Sequence, residues 1–192
     1  MEQETYSVGL DIGTTKIVAI IGKENEFGKV EVVGIGKAKS LGVHRGVVNN
    51  ITQTVQSIQA AVEEAESVSG VAISEVVAGI AGQHIRSLQT SDYITREAPE
   101  EVISEDDLKR LEHQVKKLQM LPGEEIIHVL PQEYKVDTQS EIKEPIGMYG
   151  NRLEARFHVV VGQVASIKNI HRCIVSASIK VQDVCLEPIA SA

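Results

Sequence analysis

Six residues near the start of the chain, Asp11-Ile12-Gly13-Thr14-Thr15-Lys16, gather a carboxylate, two hydroxyls and an ammonium within one tight turn. Apolar runs flank them, Tyr6 to Leu10 before and Ile17 to Ile21 after, so the segment reads as a β-hairpin with the polar residues at its tip. Such a tip suits a phosphate. Gly13 leaves room for the backbone to approach closely, so that turn N–H groups can point at an anion. Thr14 and Thr15 add hydroxyl donors, and Lys16 returns a positive charge to the same spot. Asp11, at the end of the first strand, can hold a hydrated Mg²⁺ by its carboxylate. Two strands flank the turn rather than a strand and a helix, so it is not a Walker A loop. The same residue types also build an ordinary tight turn, and the elements that follow must decide between the two.

Other chemistry-bearing residues are dispersed. His44-Arg45 lies in a glycine-containing loop, where a solvated pair is the plainer reading. His84, His113, His128, His158 and His171 have no metal-ligand spacing. No Ser/His/Asp or Cys/His arrangement emerges. Cys173 and Cys185, 12 residues apart and outside any CxxC, read as reduced core thiols.

The elements that must position the hairpin are legible in outline. Val30 to Ala38 gives a third strand after the Asn25–Gly28 turn, completing a meander. Ser40 to Asn50 reads as a loop. Ile51, Val55, Ile58, Val62 and Ala65 then form one helical stripe, with Asn49 or Asn50 as N-cap and Gly70 as the stop. Val76 to Ile80 is a buried strand. The texture becomes more polar from Gln83: a strand over 85–95, a helix from the Ser104 cap through Leu108, Leu111, Val115 and Leu118, and a strand over 125–136 that Pro131 pushes to an edge or bulge. Residues 137–151 read as an exposed loop and Leu153 to Val161 as an alternating strand. Ser166 to Ala177 is helical, Ile179 to Leu186 a strand, and Glu187-Pro188 opens a further helix. The stop at Ala192, in an element barely begun, reads as a truncation.

Bulk properties set the class. The 192 residues are 42% hydrophobic and 24% charged, as in a folded globular chain. Aromatics make up only 3%, so the core must be built of Val, Ile, Leu and Ala, which suits α/β layers. A net charge of -8 argues against a nucleic-acid partner. No apolar run approaches the roughly 20 residues of a membrane span, and the acidic start, Met-Glu-Gln-Glu, is unlike a signal peptide. A cytoplasmic protein is expected.

The hairpin, followed in order by a third strand, a helix and a buried strand, resembles the first phosphate loop of the actin, Hsp70 and sugar-kinase superfamily. In that superfamily ATP sits between two ribonuclease-H-like domains. The tail, Leu186-Glu187-Pro188-Ile189-Ala190-Ser191-Ala192, resembles the connecting segment that precedes the second phosphate loop. In relatives the acid of that Glu-Pro pair faces the hydrolytic water and metal, which puts this role on Glu187; an ordinary acid at a helix N-terminus is the alternative. Within the superfamily the chain is most similar to the bacterial cell-division FtsA family. The residues that carry this are Val8 to Lys16, the run Gly42-Val43-His44-Arg45-Gly46-Val47-Val48-Asn49-Asn50, and Val77-Ala78-Gly79-Ile80-Ala81-Gly82.

The resemblance implies an α/β, actin-like (ribonuclease H-like) ATPase half-domain with an inserted α+β subdomain. Residues 1–82 and 163–192 would form an incomplete subdomain 1A, and 83–162 the insertion, 1C. It implies ATP and Mg²⁺ in the full-length protein, with Asp11, Gly13, Thr14, Thr15 and Lys16 at the phosphates, Asp11 organising the metal and Glu187 placing water for a slow hydrolysis. It implies FtsZ and the membrane as partners through parts that this chain lacks. Self-association and other division proteins would engage 83–162, at the cytoplasmic face of the membrane at the division site. Without a second phosphate loop, these 192 residues are expected to bind ATP weakly or not at all, to be inactive alone, and to self-associate through an incomplete sheet. A PilM-like pilus-assembly protein and a small-molecule kinase of the same superfamily are the competing readings.

Overall fold

The computed structural model describes residues 6–186. The chain divides into two units, residues up to 84 with those from 165 onward, and residues 85–164.

In the first unit, short Val/Ile/Leu runs build a mixed sheet. Its strands are β1 (Tyr6–Ile12), β2 (Lys16–Glu24), β3 (Val30–Lys39), β6 (Glu75–Ile80) and β11 (Lys180–Leu186), in the order β11-β6-β1-β2-β3. β1 runs antiparallel to β2, as β2 does to β3, while β6 and β11 run parallel to β1 and to one another. This is the sheet of a ribonuclease-H-like, actin-like half-domain. Because side chains alternate between faces, Leu10 and Ile12 enter the core while Asp11, between them, faces the other way. Asp11 pairs with Val18 on one side and Gly79 on the other.

α1 (Ile51–Ser69) lies against β2 and β3. Asn50 caps it, its side chain accepting from the Gln53 N–H at 3.1 Å, and Gly70 stops it in the left-handed conformation (φ 71°). Its buried residues are Ile58, Ala61, Val62 and Ala65, joined by Thr54 and Ser57. The helix can sit this close because β3 offers Gly36, where any Cβ would run into the Ala61 carbonyl. Residues 40–50 are more ordered than a plain loop: β4 (Val43–His44) and β5 (Val47–Val48) pair as a small hairpin. α3 (Val164–Ser176) buries Ser166, Ile170, Cys173 and Ile174.

The second unit is a four-stranded antiparallel sheet, β7 (Ile85–Thr95), β10 (Arg152–Gln163), β8 (Glu124–Val136) and β9 (Gln139–Ile142) in that order. α2 (Glu105–Val115) packs against β7 and β8. Phe157, Leu153, Leu111, Val115 and Ile103 fill the core between helix and sheet. Pro131 sits at a bulge: Arg156 pairs with Glu133 and Phe157 with Pro131, leaving Gln132 as the extra residue. Two sequence expectations need correction. The helix ends at Val115, not Leu118; the next turns close i to i+3, and Leu118 is left 39% exposed with no core to enter. The stretch 137–151 contains β9, whose polar residues Gln139-Ser140-Glu141 hide it from any apolar pattern.

One buried cation organises this unit. Arg96 is 6% exposed and its guanidinium makes four hydrogen bonds. Its Nε donates to Asp107 Oδ2 at 3.1 Å, and its terminal nitrogens donate to the carbonyls of Glu101, Val102 and Gly150, each at 2.9 Å. Asp107 also closes a capping box with Ser104. Burial pushes the Asp107 carboxyl up, but the Ser104 backbone N–H and the Arg96 charge outweigh it, so its pKa falls below the ordinary 3.8. Since the folded pKa is depressed, the stability it contributes is fully present above the ordinary value and is lost as pH falls through the folded one. Removing Arg96 orphans a carboxylate and three carbonyls. Arg96→Ala is therefore expected to destabilise the second unit by about 3–5 kcal/mol in denaturant unfolding, whereas Asp107→Asn should cost less and flatten the stability loss at acid pH.

Candidate functional site

The hairpin tip is closed by its own backbone. The Gly13 N–H donates to the Lys16 carbonyl at 3.1 Å, and a Cβ on Gly13 would lie 2.9 Å from that same oxygen. The Gly13 amide is thus used up in the turn. Among the described residues, no acceptor lies on the Thr14 and Thr15 amides, and these are the turn N–H groups left to face a ligand. Thr14, Thr15 and Lys16 are exposed, and Asp11 is half-buried. Asp11 Oδ1 is fully enclosed yet has no hydrogen-bond partner among the described residues. A buried carboxylate oxygen without a donor is unstable unless a water or cation completes it, and an oxygen-seeking divalent ion fits that demand.

A second turn meets the hairpin. Arg45 (φ 50°) and Gly46 (φ 77°) form the two-residue tip of β4–β5, both left-handed as a tight hairpin of this length requires. The Gly46 N–H donates to Thr14 Oγ1 at 3.0 Å, and the Ser40 N–H to the Thr15 carbonyl at 3.1 Å. Behind them, α1 holds the loop: Ser57 Oγ accepts from the Leu41 N–H at 3.1 Å, and the Thr54 hydroxyl donates to the Leu41 carbonyl at 3.3 Å. On its other side Gly46 abuts Ala81-Gly82, the turn that leaves β6, so closely that a Cβ on Gly46 would overlap the Ala81 carbonyl.

These three turns wall a pocket of about 540 Å³ lined by Ile12, Gly13, Thr14, Arg45, Gly46, Ala81, Gly82 and Gln83. It opens where the parallel strands β1 and β6 end, the usual ligand position in open α/β sheets. β11 also ends on this side, its Leu186 paired with Ile80. Glu187 lies outside the described residues. The sequence reading found the hairpin but missed Arg45, Gly46 and Ala81–Gln83 as walls. The signal was present: Arg-Gly between Val-His and Val-Val is a two-residue hairpin loop. A hollow of about 320 Å³ on the second unit, lined in part by Glu133, Glu154 and Arg156, has charges that neutralise one another, with Arg156 at 3.1 Å from Glu133. Among the described residues no group of His, Cys, Asp and Glu side chains forms a metal-binding cluster, and no helix is long and apolar enough to cross a membrane.

Comparison with known proteins fixes the family. Residues 82–161 match the model of the SHS2 domain inserted in FtsA. Along 96% of its length the chain is 42% identical to the cell division protein FtsA of Pseudomonas aeruginosa, covering 44% of that protein. The chain belongs to the FtsA family. It is 37% identical to FtsA of Neisseria meningitidis over 99% of its length (45% of the relative), and 31% identical to FtsA of Escherichia coli K12 over 96% (43% of the relative). It therefore spans a little under half the length of the curated relatives it matches. Among solved structures, a PilM-PilN type IV pilus biogenesis complex superimposes with a TM-score of 0.60 at 12% identity, over 96% of this chain and 48% of that one. That likeness is one of fold, and it agrees with the actin-like architecture. A place in a cell-division family is thereby established.

His84 adds a pH signature beside the pocket. It is 4% exposed, neither ring nitrogen has a partner among the described residues, and burial lowers its pKa from 6.5. A histidine buried neutral favours the fold above its unfolded pKa and turns against it as pH falls through 6.5 toward the lower folded value. Two outcomes are expected in thermal unfolding. His84→Phe should remove part of the stability loss expected as pH falls below 6.5. Thr14→Val, which strands the buried Gly46 N–H, should cost about 1–3 kcal/mol at any pH.

Proposed function

We propose that this chain is the first jaw of an ATP clamp in an actin-like division scaffold. In the full-length protein, ATP would stabilise a polymerising form that ties FtsZ filaments to the cytoplasmic face of the membrane at the division site. The observation that carries the reading is Asp11 Oδ1, enclosed and without a partner among the described residues near the end of β1, next to the open Thr14 and Thr15 amides. Mg²⁺·ATP is the ligand class that uses all of them at once. Asp11 would hold the hydrated cation, the turn amides and hydroxyls would take phosphate oxygens, and Lys16 would offset their charge. Glu187, at the start of the segment after β11, would place water for any slow hydrolysis.

Residues 1–82 with 163–192 would serve as subdomain 1A and 83–162 as subdomain 1C, the latter meeting other division proteins. Membership of the FtsA family supports this over a PilM-like role, which has the shared fold at 12% identity in its favour. A small-molecule kinase would show turnover of ATP with a panel of sugars or acetate.

The pocket walls in this chain lie on one side of the ligand. Isothermal titration of the 192 residues alone is therefore expected to show weak ATP binding or none; micromolar affinity would contradict the half-clamp. In the full-length protein, Asp11→Ala should weaken Mg²⁺·ATP binding at least about tenfold, the loss of one charge-assisted contact. Unchanged affinity would remove Asp11 from the role.

A further inference from the structure

β7 is the edge strand of the second unit, paired with β10 at every position from Ile85 to Thr95 and, among the described residues, with no strand on its other side. The register has no bulge, so the direction of every backbone group is fixed by alternation. Two contacts set the phase. The Arg96 N–H donates to the Asn151 carbonyl, continuing the ladder at even-numbered positions, and the Tyr93 N–H instead turns to its neighbour's Asp92 Oδ1 at 2.8 Å. Ile85, Ser87, Gln89, Ser91 and Tyr93 therefore present their N–H and C=O groups outward, away from β10. Ser87, Gln89, Ser91 and Tyr93 are also exposed.

An open edge of this length is a template for another strand. We propose that its occupant is β7 of a second copy, added antiparallel about a two-fold axis through Gln89. Several symmetric registers keep the outward groups in phase, but their side-chain pairs differ. Centring on Thr90 sets Arg86 against Ile94 and Asp92 against Leu88; centring on Ser91 or Leu88 leaves both charges unmatched. Centring on Gln89 sets Arg86 opposite Asp92 twice, with Ser87 opposite Ser91 and Ile85 opposite Tyr93 in the hydrogen-bonded positions. The charged groups are free to respond. Glu124 holds Arg86 through Nε and one terminal nitrogen, at 2.9 and 2.6 Å, so the second terminal nitrogen is open. Asp92 uses one oxygen, on the Tyr93 N–H that pairing would claim. In the single copy Asp92 shields the end of the edge; in the pair it turns to Arg86 of the other copy. The contact is isologous and closes at two copies, and it does not depend on the nucleotide reading.

Cysteine cross-linking of the whole chain in a Cys185→Ser background tests it, with the native Cys173 thiol buried. Gln89→Cys should form a disulfide dimer with itself under mild oxidation, since facing residues in a hydrogen-bonded pair lie about 5.5 Å apart. Ser91→Cys alone should not, whereas a mixture of Ser87→Cys and Ser91→Cys chains should. Without oxidant, Gln89→Pro removes an outward N–H while sparing the β10 ladder. It should raise the dimer dissociation constant about tenfold in analytical ultracentrifugation, having removed two bonds per dimer. Cross-linking of Gln89→Cys no faster than Ser91→Cys would overturn the proposal. So would a Gln89→Cys/Ser91→Cys mixture that cross-links preferentially, which belongs to the Thr90 register, or a dimer that Gln89→Pro leaves intact.

Discussion

Three turns converge in the first unit, and the constraint that governs them is the lack of room for a side chain at Gly46. Its N–H reaches Thr14 on one side and its Cα rests on the Ala81-Gly82 backbone on the other. The Asp11–Lys16 hairpin, the β4–β5 tip and the turn after β6 are thereby held as one surface. A hydroxyl at position 14 is needed because the buried Gly46 amide must find an acceptor. The buried hydroxyls of α1 extend the same logic backward, since Thr54 and Ser57 tie the loop that carries Gly46. Positioning of the hairpin thus depends on backbone contacts far along the chain, not on the hairpin's own sequence alone.

What this surface offers is donors and one acid on a single side. The Gly13 amide closes the turn, so the polar groups it leaves open are the Thr14 and Thr15 amides, their hydroxyls, Lys16 and the enclosed oxygen of Asp11. Such a set can orient a phosphate and a cation but cannot surround them. The family relationship gives that geometry a setting in cell division, and the relatives are more than twice as long as this chain. The second unit is built on a separate principle, a buried arginine that gathers three carbonyls and a helix cap around itself.

Much of this was legible in the residues. Asn50 and Gly70 bound α1 because caps are local chemistry, and the alternation of β10 and the Pro131 bulge follow from strand geometry. The hairpin Asp11–Lys16 was legible for the same reason. What stayed hidden depends on tertiary contact. Thr54 and Ser57 look like surface polars until their loop partners are placed. Leu118 continues the stripe of α2 in sequence, yet the core ends at Val115. β9 is polar throughout its first three residues, and Arg96 reads as part of a charged connection until four acceptors are seen around it. The walls of the pocket come from segments 30 to 70 residues apart, a distance no local pattern spans.

The three joined turns are proposed to form one face of a nucleotide site. An amide NMR titration of the isotopically labelled chain with Mg²⁺·ATP addresses it most directly. A one-sided nucleotide site predicts small, non-saturating shifts clustered at Gly13 to Lys16, Arg45, Gly46 and Ala81 to Gln83. Shifts clustered in residues 85–164 instead, or spread without preference for these turns, would contradict it.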